Sequence, residues 1–286
     1  MCRIQVLLFL FIVPNATIAE KPFVHHLLDQ VLKAHVSDDG QVRYAALATN
    51  RVHLDAYIDR LGDYSPENYP ELFPTRQYEL AYWINAYNAF VLRGVIDAYP
   101  TSSVKDAFFL NGFFNRQKFV AGGRSMTLND IENGMIRAIY GEPRIHFVLN
   151  CGARSCPQLE NRAFVGTTLD ARLEQALKRF ANDPKHVRLE GERLYLSKIL
   201  EWYQEDFSDG FTPARPNAED PTGIVSYLFP YLESSLADQL IGIDNLEVDF
   251  FDYDWALNDA STTESIKEIP HRALNTPQLK PSSPNQ

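Results

Sequence analysis

The residues with the most chemistry to offer lie in one stretch, Arg144 to Leu159, which reads RIHFVLNCGARSCPQL. It holds Cys151 and Cys156, with His146 shortly before them. Arg144 to Asn150 is a short apolar, strand-like run. As a strand it puts His146, Val148 and Asn150 on one face and Phe147 and Leu149 on the other. Cys151 then emerges at the strand end, where Gly152 permits a sharp turn. Pro157 suits the first position of a short helix, which makes Cys156 its cap and sets the thiol in the field of the helix dipole. Arg154 adds a positive charge to the same loop.

Several chemistries fit this pattern. A structural disulfide is one, since four intervening residues can bring the two Cα atoms within ~4.4–6.8 Å. A catalytic thiol is another, with Cys151 or Cys156 as nucleophile and His146 as base. In extended chain His146 stands about 16 Å from Cys151 and faces the other way, so a direct dyad needs a loop that folds back, and Cys156 is the easier sulfur to meet. A redox dithiol is the third, although the spacing is longer than the two residues of a thioredoxin-type motif. Two sulfurs and one imidazole lack a fourth ligand nearby, so neither a metal nor a cofactor is expected. A lone histidine on an apolar strand is also read as a hydrogen-bonded core residue. His25 and His26 sit on a helix with surface character, and His35, His53, His186 and His271 have no convincing companions.

The compartment bears on the cysteines. The chain opens MCRIQVLLFLFIVPNATIAE, with Arg3 as a short positive region, an apolar run from Ile4 to Val13, and small residues before a cleavage point after Ala19. A permanent span needs about 20 apolar residues, so this is read as a cleavable signal peptide, 1–19, and the chain as periplasmic or secreted with no stable membrane span. Cys2 leaves with the signal. Cys151 and Cys156 remain as an even pair in an oxidising compartment. The net charge of -10, with no Lys/Arg cluster, argues against a nucleic-acid partner. The 286 residues, 45% of them hydrophobic, are enough to bury a sizeable core.

These residues need elements to hold them. Apolar residues at helical spacing mark residues 21–36, with Val24, Leu27, Leu28, Val31 and Leu32 on one stripe, and residues 51–61. Val42 to Tyr44 is a short extended piece. Arg76 to Tyr99 is a long helix, stopped by Pro100, and apolar almost all round, which makes it central. Asn85 and Asn88 sit one turn apart on one of its faces. Gly122-Gly123 marks a hairpin between 117–121 and 124–128. Thr127 or Asn129 caps a helix through Arg137, with Asp130 and Glu132 in its first turns. Residues 168–181 form an amphipathic helix, 187–189 and 194–196 a second hairpin around Gly191, and Ser197 to Phe207 a helix carrying Trp202 and Tyr203. A further helix ends near Pro230, and Leu246 to Phe251 is a late strand. Trp83, Trp202 and Trp255 are read as core. The total is an α+β fold, mostly helical, with short antiparallel hairpins around the long central helix. Residues 20–258 form one domain, and 259–286 a flexible polar tail.

Several of these pieces together resemble a known family. Tyr82 to Ala89 (YWINAYNA) looks like its hallmark helix, Asp130-Ile131-Glu132 before Arg137 like its second motif, and His146-Phe147 through Asn150-Cys151 and Ser155-Cys156-Pro157 like its third. Shorter family-like pieces are Val42-Arg43-Tyr44, SKILEWYQEDF from Ser197, and Tyr253-Asp254-Trp255 before Leu257-Asn258. The set is similar to the domain-of-unknown-function family numbered 547, found in exported bacterial proteins and at the C-terminus of some plant proteins. The resemblance runs from about Val42 to Asn258, with its core between about Arg76 and Asp170. It implies no agreed activity. It does imply that Asn85, Asn88, Glu132, His146, Cys151 and Cys156 are neighbours.

The expected site therefore has Cys151, His146, Cys156 and Glu132 in catalytic positions, and Asn85, Asn88, Asn150, Arg154 and Ser155 around a substrate. The first reading is a thiol-dependent hydrolase or transferase acting on a peptide-like or amide substrate. The alternative is a non-enzymatic binding domain, for a small molecule or peptide, in which Cys151–Cys156 is a structural disulfide and Asn85 and Asn88 brace buried backbone. A thiol redox protein is the third.

Overall fold

The computed structural model describes residues 21–107, 112–207 and 223–260. Its elements in order are α1 (His26–His35), α2 (Tyr44–Thr49), α3 (Val52–Asp63), α4 (Arg76–Ala98), α5 (Val104–Ala107), α6 (Gly112–Asn115), β1 (Phe119–Ala121), β2 (Arg124–Met126), α7 (Ala138–Tyr140), α8 (Leu169–Ala181), β3 (Val187–Glu190), β4 (Arg193–Leu196), α9 (Lys198–Trp202), α10 (Ile224–Leu228), α11 (Ser234–Ile241) and β5 (Glu247–Phe250). A π-helical stretch, Asp130–Arg137, runs directly into α7. The α+β architecture expected from the sequence is present.

Helix α4 is the axis. From Leu80 to Leu92 every side chain is buried, which its all-round apolar composition requires. Helices α2 and α3 pack against it, as do the π-helical stretch and α8. Helix α1 packs on α3, and beside it the buried His25 ring meets the Tyr57 hydroxyl through Nδ1 at 2.7 Å. The stripe Leu169, Leu173, Leu177 and Phe180 buries one face of α8 as its spacing demands.

The first hairpin pairs β1 with β2 antiparallel through Gly122 and Gly123, both with positive φ. A Cβ at Gly122 would stand 2.1 Å from the Ser65 hydroxyl, so both conformation and space call for glycine. In the second sheet β3 pairs antiparallel with β4, and β5 joins β4 in parallel. That parallel strand delivers the C-terminal segment 252–258 onto the cysteine loop. Arg154 N–H donates to Ala256 C=O at 2.8 Å, and Asn258 N–H to Gly152 C=O at 3.0 Å.

Five sequence readings need correction. Arg144 to Asn150 is not a strand: Pro143–Phe147 is a 3₁₀ turn, opened by the Glu142 carboxylate accepting from Arg144 N–H at 3.1 Å. Ile145 through Asn150 are all buried, and an apolar run buried on every side carries no period to separate strand from helix. Residues after Pro157 do not form a helix, so Cys156 is not a helix cap. Asn150 explains this, since its Nδ2 holds the Pro157 carbonyl at 2.7 Å and keeps the chain extended there. Val24 is half exposed and lies before α1, off the expected stripe, and His25, expected at the surface, is buried just before α1 against Tyr57. Of the two caps considered for the helix through Arg137, Thr127 is the one that acts: its hydroxyl accepts from Asp130 N–H and the Asp130 carboxylate accepts from Thr127 N–H, a reciprocal capping box.

The signal-peptide reading lies outside the described residues, as does residue 261 onward of the expected tail. Asn258 and Asp259 are buried: Tyr44 donates its hydroxyl to Asn258 Oδ1 at 2.8 Å and Tyr99 donates to Asp259 at 2.9 Å.

Candidate functional site

The floor of the site is built by asparagines of α4. Asn88 donates Nδ2–H to Val148 C=O at 3.0 Å and accepts from Asn150 N–H at 2.9 Å. One turn back, Asn85 does the same to Phe164, donating to its C=O at 2.8 Å and accepting from its N–H at 2.9 Å. Each primary amide imitates one rung of a β-ladder, offering a donor and an acceptor to a backbone that has no strand beside it. Asn150 continues the bracing, accepting from Gly152 N–H at 2.8 Å. All three asparagines are buried and their amides are occupied by backbone. They position the cysteine loop, and none of them lines the cleft.

Cys151 and Cys156 are paired as a disulfide, with Cα atoms 6.2 Å apart. Cys151 N–H donates to Cys156 Sγ at 3.0 Å, and the Tyr253 hydroxyl lies 3.1 Å from both sulfurs. Cys156 is buried and Cys151 half-buried. Ser155 Oγ accepts from Asp254 N–H at 2.8 Å. Arg154 and Ser155 therefore hold the segment that carries Tyr253 and Trp255, and neither lines the cleft. Tyr253 and Trp255, two residues apart in extended chain, share a side.

Above this floor lies a cleft of about 340 Å³, within the size range of small-ligand sites. Its walls include Trp202 and Tyr203 from the end of α9, Tyr253 and Trp255, Glu132 and Asn133 of the π-helical stretch, and Lys105 of α5. Ring centroids of Tyr253 lie 4.6 Å from Trp255 and 4.8 Å from Trp202. Trp202 is 46% exposed, which corrects its reading as core; Trp83 is buried in the core, and Trp255 is partly buried, packed against the core while also lining the cleft.

His146 lies at the inner edge of the cleft. Its Nε2 bonds Asp206 Oδ2 at 2.6 Å, and its ring stacks on Tyr203 with centroids 4.1 Å apart. Asp206 also accepts a two-pronged pair from Arg137, at 2.6 and 2.7 Å. Burial pushes the Asp206 carboxyl up, but hydrogen bonds from His146 and Arg137 outweigh it and hold the carboxyl well below the usual range. The His146 ring nitrogen that is bonded goes to a carboxylate, and the sulfurs bond Tyr253 and backbone. The structure thus places His146 and both cysteines on one cleft without joining them as a thiol–imidazole pair.

Glu132 accepts a hydrogen bond from the Tyr203 hydroxyl, and the buried Tyr87 hydroxyl reaches the same carboxylate. Burial first, and the Glu132 charge second, push the hydroxyls of Tyr87, Tyr203 and Tyr253 above the ordinary tyrosine range, so all three stay protonated donors. Among the described residues no group of three or more His, Cys, Asp or Glu side chains is placed to hold a metal. No helix among them is long and apolar enough to cross a membrane.

Residues 72–181 match the family described as Protein of unknown function, DUF547. The resemblance drawn from the sequence is thereby shown for this stretch. The DUF547 region runs from just before α4 to the end of α8, so it holds the asparagine floor, Glu132, His146 and the disulfide. It leaves out Trp202, Tyr203, Asp206, Tyr253 and Trp255, which complete the cleft. No curated protein and no solved structure matches the chain.

The sequence reading missed Asp206, Tyr203, Tyr253, Tyr87 and Lys105 as members of the site. Asp206, Tyr203 and Tyr253 fall within the family-like pieces at 197–207 and 253–258, and that shared membership was the available signal. Tyr87 also lies within the hallmark helix, but it reads there as one more buried aromatic.

Proposed function

We propose that this chain is an exported, non-enzymatic binding domain whose cleft is braced by the Cys151–Cys156 disulfide. The observation that carries the reading is the condition of the groups a thiol enzyme would need. Both sulfurs are joined to each other, and the one imidazole at the cleft is tied to Asp206. The cleft is meanwhile walled by aromatic side chains with a few convergent polar groups, which is the make-up of a small-ligand site. Export supports the disulfide and rests on the apolar run Ile4 to Val13 and the small residues before Glu20.

The test is thiol titration and peptide mapping of the protein purified without reductant. The expected result is a quantitative Cys151–Cys156 disulfide that resists mild reductant. A cysteine labelled rapidly by iodoacetamide at about pH 6 would overturn the reading and favour a thiol hydrolase or transferase. Sequencing the N-terminus of the exported chain should find Glu20 first. A mature chain still starting at Met1 would refute export by signal cleavage.

A second reading has one observation in its favour. Cys151 is half-buried and faces the cleft, so one sulfur of the pair is open to exchange. A reduction midpoint within the range of cellular thiol couples would make the protein a redox partner.

A further inference from the structure

Resting on the binding-domain reading, the charge and shape of the same cleft name a ligand class. Glu132 lines the cleft, and among the described residues it forms no direct ion pair. Arg137 is near enough for its charge to be felt at Glu132, but its guanidinium is hydrogen-bonded to Asp206 on two atoms and makes no direct pair with Glu132. Its hydrogen-bond partners, the hydroxyls of Tyr203 and Tyr87, are neutral. Two hydroxyl donors also leave part of the carboxylate's acceptor capacity unused.

The aromatic residues of the same cleft suit a cation. Trp202, Tyr253 and Trp255 form one cluster with neighbouring centroids 4.6–5.8 Å apart, partly exposed and facing the cleft. The faces of such rings carry negative potential and attract an ammonium placed over them, most strongly when water is excluded. The structure holds an instance of this. The ammonium of Lys105, on the exposed helix α5, sits 4.1 Å above the centroid of Trp255 and lines the same cleft.

We infer that the cleft binds a small alkylammonium ligand, with Trp202, Tyr253 and Trp255 as its aromatic wall and Glu132 as its counter-charge, and that Lys105 holds the aromatic wall when the ligand is absent. Lys105 is a tethered occupant. Its long side chain is exposed and can leave for solvent, so an incoming cation of the same chemistry replaces it without rebuilding the site. The cleft volume of about 340 Å³ suits a small organic cation. The disulfide and the asparagine floor keep the wall in place, so little ordering remains to be done on binding.

Two of the three tryptophans of the chain line the cleft and the third, Trp83, is buried in the core, which makes intrinsic fluorescence a direct readout. The full signal-less chain, disulfide intact, is titrated with choline and with its uncharged isostere 3,3-dimethylbutan-1-ol. Choline should give a saturable change and bind about tenfold or more tightly than the isostere. Glu132→Gln should weaken choline about tenfold and leave the isostere unchanged. Trp202→Ala, at an exposed position where folding is not at stake, should weaken choline about three- to tenfold. Lys105→Met should tighten choline several-fold by removing the competitor.

Equal affinity for choline and the isostere would overturn the charge-based inference and leave the binding-domain reading standing. Absence of any saturable change with choline would also overturn it, and the disulfide mapping then decides the broader reading separately. Weaker choline binding in Lys105→Met would overturn the placeholder role.

Discussion

Acidifying the protein from about pH 7.5 to about pH 5 should cost the fold at least about 4 kcal/mol, supplied mainly by two deeply buried histidines, with His35, lowered by burial and then by Arg43, adding to the loss in the same direction. His25 sits against Tyr57, and burial first, then the charge of Arg60, lowers its pKa from 6.5 to about 3. His186 stacks on Phe180 with centroids 4.1 Å apart, and burial first, then Lys185, lowers it likewise to about 3. Both are neutral in the folded chain throughout this range, while the unfolded chain takes up a proton on each. Protons therefore favour the unfolded state between the two pKa values: the contribution is fully present above 6.5 and is lost as pH falls toward 3. At pH 5 the unfolded imidazole favours its protonated form about thirtyfold, which is about 2 kcal/mol per residue. Carboxylates such as Asp206, whose pKa is depressed in the fold, lose their contribution only at lower pH, outside this window. Urea unfolding followed by far-UV circular dichroism at both pH values measures the difference. His186→Phe, which keeps a ring against Phe180, should remove about 2 kcal/mol of the loss. A stability that stays flat down to pH 5, or an undiminished loss in His186→Phe, would refute the reasoning.

Reducing the disulfide should lower stability by about 2 kcal/mol, because the closed loop is short and constrains the unfolded chain little; urea midpoints with and without reductant measure it. Asn88→Ala leaves the buried Val148 carbonyl and Asn150 N–H without their partner and should cost about 2–5 kcal/mol by the same assay, far more than an exposed asparagine such as Asn115. Asp206→Ala strips His146 and Arg137 of their shared acceptor and should cost about 3–5 kcal/mol at neutral pH. The gap between that variant and the parent should narrow as pH falls below about 4, where the parent's own Asp206 contribution is progressively lost.

Helix α4 was legible to within one residue because its composition is apolar all round and Pro100 follows it. The amphipathic α8 and both hairpins were legible for similar local reasons: a period of 3.6, or glycines at the turn. The cysteine loop was not. The apparent strand at Arg144–Asn150 has no exposed face to reveal its period, and its real form is dictated by Glu142 and Asn88, partners at unequal distances along the chain. Pro157 invited a helix that Asn150 forbids by taking its carbonyl. The walls of the cleft were hidden for a different reason. Trp202 and Trp255 lie 53 positions apart, and only the parallel pairing of β5 with β4 brings their segments together. Nothing local distinguishes an aromatic that packs in a core from one that faces a cleft.

The asparagine clamps separate two jobs that enclosed sites often mix. Asn85 and Asn88 grip main-chain atoms of Phe164, Val148 and Asn150, not their side chains, so the grip is blind to what those positions carry. The rings that would meet a ligand come from α9 and the 252–258 segment, and that segment rests on the clamped loop by main-chain pairing and by Ser155. Trp202 and Trp255 can then be exchanged while the platform beneath them keeps its main-chain bonds, whereas Tyr253 also hydrogen-bonds both sulfurs and belongs to the platform. A chassis of this kind can be refitted for a different guest by changing two side chains, and the clamps that hold the loop do not have to be renegotiated each time.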